Sequence, residues 1–146
     1  MINSLYLTDL DPEAQSICQA HIDGCKAAGI EIILTATYRD DEQQNALYQI
    51  GRTPGDTRMR VTNAKGGQSW HQYRCAWDVV PIVGGKCVWE DKLLWEKVIA
   101  AGVAAGAEAG ANWASFKDQP HFQYKPDGLT LIEAADRFAT HGTIFI

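Results

Sequence analysis

The feature that most constrains this chain is the stretch Gly66–Pro81, in which a loop carrying His71 runs into an apolar segment that contains Asp78. The segment 76–83 predicts a buried strand, because it is short, apolar and rich in β-branched residues. A carboxylate inside such a strand is costly to bury unless something pairs with it, and a divalent cation would do so. The alternative is a capping or salt-bridged Asp78 beside an ordinary surface histidine.

A second group of candidate ligands lies downstream, in the segment Asp118–Gln123. Catalytic zinc sites use three protein ligands and keep one open position for water, and hydrolysis also needs a base for the proton of that water. The two segments together supply two imidazoles and one carboxylate, with a second carboxylate left over. Taken singly, His121 has the alternative of a core histidine, and Asp118 that of a loop residue bonded to its own backbone.

Length and composition predict one soluble domain spanning residues 1–146, with no separate wall-binding domain. A net charge of −5 without a basic stripe argues against nucleic-acid binding. No apolar run approaches the roughly 20 residues of a membrane span, and no signal peptide is visible. The four cysteines form no C-x-x-C pair, so a thiolate zinc site is not expected. Whether Cys75 and Cys87 meet stays open, with free thiols as the default for a cytosolic protein. We expect a monomer that stays in the cytoplasm on synthesis.

Hydrophobic periodicity predicts an α+β fold, in which helices are separated from a small set of strands. The predicted helices run over about 12–29, 40–51, 91–106 and 129–139, and the predicted strands over about 31–37, 76–83, 86–89 and 120–124. In the last helix the predicted inward residues are Leu129, Ile132, Ala135 and Phe138. The irregular segment 52–68 is long for a loop in a compact domain, and such loops are usually functional or mobile. Because it leads into His71, we expect a functional role.

Several blocks of the sequence together resemble one known family. The motif Ser69-x-His71-x6-Asp78, followed by Asp118-x-Pro120-His121, is similar to that of the zinc-dependent D-alanyl-D-alanine carboxypeptidase and L-alanyl-D-glutamate peptidase family. The likeness is greatest to the small single-domain phage endolysins of that family. It runs from about Ile30 to Gln123 and includes further blocks in the same order: Thr37-Tyr38-Arg39, Glu42–Tyr48, Gly51–Gly55, Val61–Ala64 and Gly67.

This resemblance implies a fold of the hedgehog/D,D-peptidase type, with a small central antiparallel sheet flanked by helices. It implies that Zn²⁺ is the cofactor and that His71, Asp78 and His121 are its ligands. Asp118 would be the catalytic carboxylate, which takes a proton from water and later gives it to the leaving amine. Arg39 would be a second catalytic group that stabilises the oxyanion or anchors a substrate carboxylate. Its alternative is a surface ion pair with a neighbouring aspartate.

The resemblance also implies a substrate-binding set and shows two departures from the family pattern. Ser69 matches the serine that supports the first ligand loop. Arg74 stands where the family usually has Gly, which implies either a reshaped loop or an extra cation lining the cleft. The segment Asn112–Phe116 replaces a Trp-Gly-Gly-Asp-Trp-like run, so we expect a different cleft wall there. Trp113 is a candidate for that wall, with simple packing as the alternative.

The function implied by the resemblance is zinc-dependent hydrolysis of the peptidoglycan stem peptide at the L-alanyl-D-glutamate bond, by a phage or prophage endolysin. Such an enzyme would wait in the host cytoplasm and act on the cell wall after membrane permeabilisation. A D,D-carboxypeptidase or D-alanyl-D-alanine dipeptidase is the nearest alternative, and it needs a pocket for a free carboxylate, which Arg39 or Arg74 would furnish. A non-catalytic, zinc-stabilised wall-binding module is the alternative of a different class, and it has no use for a spare Asp118.

Overall fold

The computed structural model describes residues 1–146, which form four α-helices and one antiparallel sheet of five strands. The helices are α1 (Pro12–Ala27), α2 (Asp41–Gln49), α3 (Lys92–Ala105) and α4 (Leu131–His141). The strands are β1 (Glu31–Ala36), β2 (Ala76–Val83), β3 (Lys86–Cys87), β4 (Glu108–Ala109) and β5 (His121–Gln123). None of the helices is both long and apolar enough to cross a bilayer. The predicted α+β fold with a small central antiparallel sheet is confirmed.

Strand β2 is the centre of the sheet and carries the first candidate carboxylate. The strand order is β1-β2-β5-β4, with β3 added to the end of β2 through a Gly84-Gly85 turn. Asp78 of β2 lies directly opposite His121 of β5 and opposite Ala36 of β1. Because directly opposed residues of an antiparallel pair have neighbouring side chains, this register alone brings Asp78 and His121 together.

The hydrophobic core lies on the other side of β2. Helices α1 and α3 pack against each other and against the sheet, and the fully buried Trp77 and Phe122 stack at this interface. His21 of α1 is also fully buried there, where its Nδ1 accepts a hydrogen bond from the Trp77 indole and its Nε2 donates to Val98 O. Since side chains alternate along a strand, the burial of Trp77 directs Asp78 to the opposite face.

Gly102 of α3 is the point of closest approach between that helix and the core. A Cβ there would lie 2.6 Å from Cε1 of the buried Phe122 ring and 3.1 Å from His21 Nε2. We expect Gly102→Ala to lower the free energy of unfolding by about 1–3 kcal/mol, because the core has no room for the methyl group. Urea denaturation measures this change.

Gly24 of α1 is the matched control for this substitution. Its added Cβ would meet only Ala101, whose Cβ would lie at an ordinary 3.6 Å. Because Ala is favoured over Gly by about 1 kcal/mol within a helix, Gly24→Ala is expected to leave the urea concentration at the midpoint of unfolding unchanged or to raise it. Equal destabilisation by both variants would contradict the packing argument.

The inward face of α4 differs from the prediction. The helix begins at Leu131, after Thr130, whose side chain accepts a hydrogen bond from Glu133 N. Ala134 is fully buried and Phe138 packs against the core, whereas Ile132 is 84% exposed. The prediction of inward residues is confirmed for Leu129 and Phe138 and wrong for Ile132 and Ala135, which are exposed. The phase was wrong because Leu129 lies just before the helix and does not belong to its repeat.

The four cysteines are free thiols, as expected. Cys18, Cys25 and Cys75 are buried, and Cys87 is exposed. Burial raises the pKa of Cys18 to about 12 and that of Cys25 to about 11, so these two thiols behave as small apolar core residues.

Candidate metal centre

The three predicted ligands converge at one place from three different elements. His71 belongs to the short 3-10 helix Trp70–Tyr73, Asp78 to β2 and His121 to the start of β5. Their ligand atoms all lie within 4.8 Å of one another. His71 Nε2 and His121 Nδ1 are each 3.4 Å from Asp78 Oδ1. The fold thus assembles the His-Asp-His set that the two sequence motifs predicted.

Each imidazole is oriented by a hydrogen bond on its far nitrogen. His71 Nδ1 lies 2.7 Å from the carbonyl oxygen of Thr37, and His121 Nε2 lies 2.8 Å from Oε1 of Gln123. Both acceptors require the ring nitrogen to carry the proton. The lone pairs of His71 Nε2 and His121 Nδ1 therefore face Asp78, which is the arrangement that a second layer of hydrogen bonds gives to metal-bound histidines.

The surroundings of Asp78 show that the site suits a cation. Its Oδ1 atom is buried and has no hydrogen-bond partner, although a buried carboxylate oxygen is costly to leave unpaired. Burial by itself would raise the pKa of Asp78, but the imidazoles of His71 and His121 hold it well below its usual range. An anionic oxygen beside two nitrogen lone pairs matches the ligand set of a zinc ion with one position left for another ligand.

Ser69 and Gln72 position the first ligand. Ser69 is the cap of the 3-10 helix: its hydroxyl accepts from His71 N, and its own amide donates to Gln72 Oε1. This reciprocal arrangement is a capping box. Ser69 also lines the groove described below. It therefore supports the ligand loop, as the resemblance implied, and lies where a substrate would contact it.

Arg74 is a correction to the predicted substrate-binding set. It ends the same 3-10 helix in the left-handed conformation, with φ of 58°, where Gly is the residue with the least steric penalty. Its guanidinium lies 3.9 Å from the centre of the Tyr38 ring and donates to Asp9 O. Arg74 does not line the groove, because these contacts hold its side chain elsewhere.

A groove with a volume of about 760 Å³ runs over the candidate metal centre. The irregular segment 52–68 contributes part of its wall, which fits the functional role expected of that loop. Gln44, which is 1% exposed, holds the loop in place by donating to Ala64 O. The residues that line the groove include all three candidate ligands, four other predicted site residues and part of the loop: Arg39, Ser69, Trp113, Asp118, Val61, Thr62, Asn63, Ala64 and Gln68.

Asp118 lies at the groove close to the ligands. Partial desolvation of its carboxyl raises its pKa above the ordinary value, and the charge of Asp78 adds to this effect, whereas His121, His71 and Arg39 oppose it. A raised pKa suits a carboxylate that must both accept and return a proton. The residue as a whole is exposed, so water and substrate can reach it.

Gly110 allows the backbone of Asp118 to lie close to its own backbone. This glycine was not singled out from the sequence. Its carbonyl accepts from Asp118 N at 3.1 Å, and a Cβ at this position would overlap the carbonyl oxygen of Asp118. The segment 106–110 was expected to be a fraying end and a turn, but it contains β4 and leads into the 3-10 helix Gly110–Asn112. Its small residues were the available signal, because they permit close backbone contacts.

Arg39 is not paired at the surface. Its side chain is 12% exposed, and its Nη2 lies 3.9 Å from Asp78 Oδ2. Its Nε donates to Asn3 Oδ1 and its Nη1 to Gln44 Oε1. The alternative of an ion pair with a neighbouring aspartate is wrong, because Asp40 caps α2 by accepting from Gln43 N instead.

Trp113 forms a wall of the groove beside the second histidine. The centre of its indole lies 5.2 Å from the His121 ring, and its Nε1 donates to Glu108 Oε2. Sequence reasoning missed Glu108 and Gln123, which complete this corner. For Gln123 a signal existed, since it follows His121 by two positions and therefore shares its face of the strand.

Comparisons with known proteins agree with this geometry. A family model described as D-alanyl-D-alanine carboxypeptidase matches residues 62–124, which contain the three candidate ligands and Asp118. The peptidoglycan L-alanyl-D-glutamate endopeptidase CwlK of Bacillus subtilis is 30% identical over 138 residues, covering 86% of this chain and 81% of that protein.

A phage protein and a solved structure extend the comparison. The L-alanyl-D-glutamate peptidase of a Listeria phage is 31% identical over 111 residues, which are 73% of this chain and 35% of that longer protein. The crystal structure of a variant of the vancomycin resistance D,D-pentapeptidase VanY, in complex with Zn(II), superposes with a TM-score of 0.61 at 15% identity. That match covers 92% of this chain and 80% of the other, and it shows the shared fold.

Proposed function

Because the chain belongs to the D-alanyl-D-alanine carboxypeptidase and L-alanyl-D-glutamate peptidase family of metallopeptidases, we propose that it hydrolyses the stem peptide of bacterial peptidoglycan at the L-alanyl-D-glutamate bond. The observation that carries the proposal is the convergence of His71, Asp78 and His121 on one point of a groove that also holds Asp118. The names of the two curated relatives support this choice of bond.

His71, Asp78 and His121 would hold Zn²⁺, because their free lone pairs face the same point. A bound Zn²⁺ supplies Lewis acidity, which polarises a carbonyl group and makes water more acidic. The part of the protein is to present the scissile peptide in the groove and to move protons. Asp118 takes the proton of the attacking water and returns it to the leaving amine, and its raised pKa brings the two transfers closer in energy.

Arg39 has two roles in this proposal. Its Nη2 lies close to Asp78 Oδ2 and helps to hold the ligand carboxylate in place. The guanidinium also lines the groove, where its remaining N–H groups face negative charge that develops on the substrate. Such donors contribute most when they are fixed in advance, and the hydrogen bonds to Asn3 and Gln44 fix this one.

The arrangement of the arginines favours an endopeptidase over a carboxypeptidase. A carboxypeptidase must bind a free terminal carboxylate, for which a forked guanidinium is well suited. Arg74 lies outside the groove. Arg39 donates its Nε to Asn3 and its Nη1 to Gln44, so it keeps N–H groups for charge that develops on the substrate but does not offer a free fork to a terminal carboxylate. The other cation that lines the groove is Lys117, an exposed residue next to Asp118. A non-catalytic module is disfavoured, because it would not need Asp118 beside the ligands.

The biological role that we propose is that of a phage or prophage endolysin. The similarity to a Listeria phage peptidase supports it. In this role the protein accumulates in the host cytoplasm and reaches the wall after another protein has opened the membrane. The net charge of −5 gives no long-range attraction to an anionic wall, so contact with the substrate depends on the groove.

Digestion of purified cell walls tests the reaction and the bond. Turbidity should fall with the protein and should stay constant when a chelator is present. Mass spectrometry of the soluble products should then show a newly exposed amino group on D-glutamate. Release of free D-alanine, with no new amino group on D-glutamate, would overturn the endopeptidase assignment in favour of the carboxypeptidase.

A further inference from the structure

A chain of hydrogen bonds leads from the second candidate ligand to the rim of the groove. His121 Nε2 donates to Gln123 Oε1 at 2.8 Å, and Gln123 Nε2 donates to Glu108 Oε2 at 2.8 Å. The indole Nε1 of Trp113 donates to the same Glu108 oxygen, also at 2.8 Å. One carboxylate oxygen therefore holds two side chains that both contact His121.

The backbone fixes the ends of this chain. Glu108 of β4 lies directly opposite Gln123 of β5 in the antiparallel register, so their side chains are neighbours on one face. Gln123 is 2% exposed, whereas Glu108 is an exposed residue. The carboxylate thus reaches from the surface to a buried amide, which has no other side-chain donor or acceptor besides His121.

Glu108 decides which way the Gln123 amide points. A side-chain amide offers an oxygen at one end and two N–H groups at the other, whereas a carboxylate only accepts hydrogen bonds. Glu108 therefore selects the orientation in which the NH₂ group faces Glu108 and the oxygen faces His121. The opposite orientation would present N–H to His121 Nε2. That ring would then carry its proton on Nδ1, where the lone pair is needed for a ligand.

Glu108 also fixes the groove wall. The Trp113 indole that it anchors lies 5.2 Å, centre to centre, from the His121 ring. Trp113 follows the 3-10 helix Gly110–Asn112, and the hydrogen bond to Glu108 sets where its ring lies over the groove. The same oxygen of Glu108 therefore influences both the tautomer of His121, through Gln123, and the position of Trp113 in the groove wall.

We propose that Glu108 is a positioning residue of the metal centre, which keeps the lone pair of His121 Nδ1 available by orienting Gln123 and holds Trp113 against the same ring. The proposal rests on the proposed function, because it takes His121 as a ligand. The proposal adds Glu108, which is not itself one of the three candidate ligands. Removal of such supporting partners typically lowers metal affinity by about 10- to 100-fold.

The test compares Glu108→Ala, Glu108→Gln and a control in the purified full chain. Competition with a chromophoric chelator measures the Zn²⁺ dissociation constant. We expect Glu108→Ala to weaken binding by about 10-fold or more. Glu108→Gln should remain within a few-fold of wild type, because its amide oxygen can still accept from both Gln123 and Trp113. Glu96→Ala, at an exposed position of α3, is the matched control and should bind as wild type does.

A second readout needs neither activity nor metal. Nuclear Overhauser effects from the side-chain NH₂ protons of Gln123 report which way its amide points. Wild type should show no contact from these protons to the imidazole ring of His121, and Glu108→Ala should gain such contacts. Failure of wild type to bind Zn²⁺ would overturn the proposed function, and the Gln123 contacts would still test the orientation of its amide. Wild-type affinity together with an unchanged Gln123 orientation in Glu108→Ala would overturn the positioning role alone.

An exchange of the two side chains covers the case in which Glu108→Ala does not fold. Gln123→Glu places two carboxylates face to face without a donor, and it should lose Zn²⁺ affinity by about 10-fold or more. Adding Glu108→Gln to that variant restores a donor towards residue 123 and an acceptor for Trp113, and affinity should recover. A double variant no tighter than Gln123→Glu would overturn the proposal.

Discussion

Replacing Asp118 with Asn is expected to lower kcat on cell-wall fragments by about 10²- to 10⁴-fold, while Zn²⁺ affinity changes little. The amide keeps the size of the carboxylate but cannot take a proton from water. The side chain of Asp118 makes no hydrogen bond within the protein, and its backbone links to Gly110 and His121 remain possible in the variant. Initial rates of product release, measured with saturating Zn²⁺, give the change in kcat.

Asp127→Asn is the matched control for this experiment, because Asp127 is an exposed aspartate of a loop near the end of the chain. It should retain wild-type kcat and metal affinity. Wild-type kcat in Asp118→Asn would show that another group accepts the proton. Loss of Zn²⁺ binding in the same variant would instead make Asp118 a ligand, in conflict with its place outside the cluster formed by His71, Asp78 and His121.

Zn²⁺ is expected to raise the thermal stability of the protein, and Asp78→Ala is expected to abolish both that increase and the peptidase activity. A ligand at 100 times its dissociation constant stabilises the folded state by about 2.7 kcal/mol. For a chain of this size that corresponds to an increase in Tm of about 5–10 °C. Asp78 is the choice because its Oδ1 lies 3.4 Å from both imidazoles. Differential scanning fluorimetry over a Zn²⁺ series measures the shift.

The metal-free Asp78→Ala protein should still fold, because Oδ1 of Asp78 has no hydrogen-bond partner and Arg39, which lies near Oδ2, keeps its hydrogen bonds to Asn3 and Gln44. Asp136→Ala, at an exposed position of α4, is the control and should show the full increase in Tm with Zn²⁺. An equal increase in Asp78→Ala would show that the ion binds elsewhere, for instance at exposed acidic groups, and would overturn the assignment of this site.

The candidate ligands could be predicted because each is tied to a local sequence pattern. His71 and Asp78 flank the start of an apolar strand, and His121 follows Pro120 in a second strand. Such patterns state which residue types the chemistry needs. They do not state which neighbours the fold will supply, so the register that places Glu108 opposite Gln123 was out of reach.

Arg74 shows why a departure from a family pattern is hard to interpret from sequence. An arginine in place of Gly suggested either a reshaped loop or an added cation in the cleft, but its role depends on where its side chain finds partners. The left-handed backbone explains the usual Gly, and the contacts with Tyr38 and Asp9 explain the position of the guanidinium. These contacts depend on segments that are distant in sequence. The phase of α4 failed for a local reason, because Leu129 lies just outside the helix.

The central position of β2 has a consequence for the proposed metal site when it holds no ion. Asp78 is carried by a strand that is paired on both sides, and His71 and His121 are each held by an acceptor from the protein. If the site binds Zn²⁺ as proposed, removal of the ion should leave the three side chains in place, so that rebinding requires only diffusion into the groove and no refolding. Amide hydrogen exchange in β2 should stay slow in the chelated protein, and recovery of activity after reloading should be as fast as mixing.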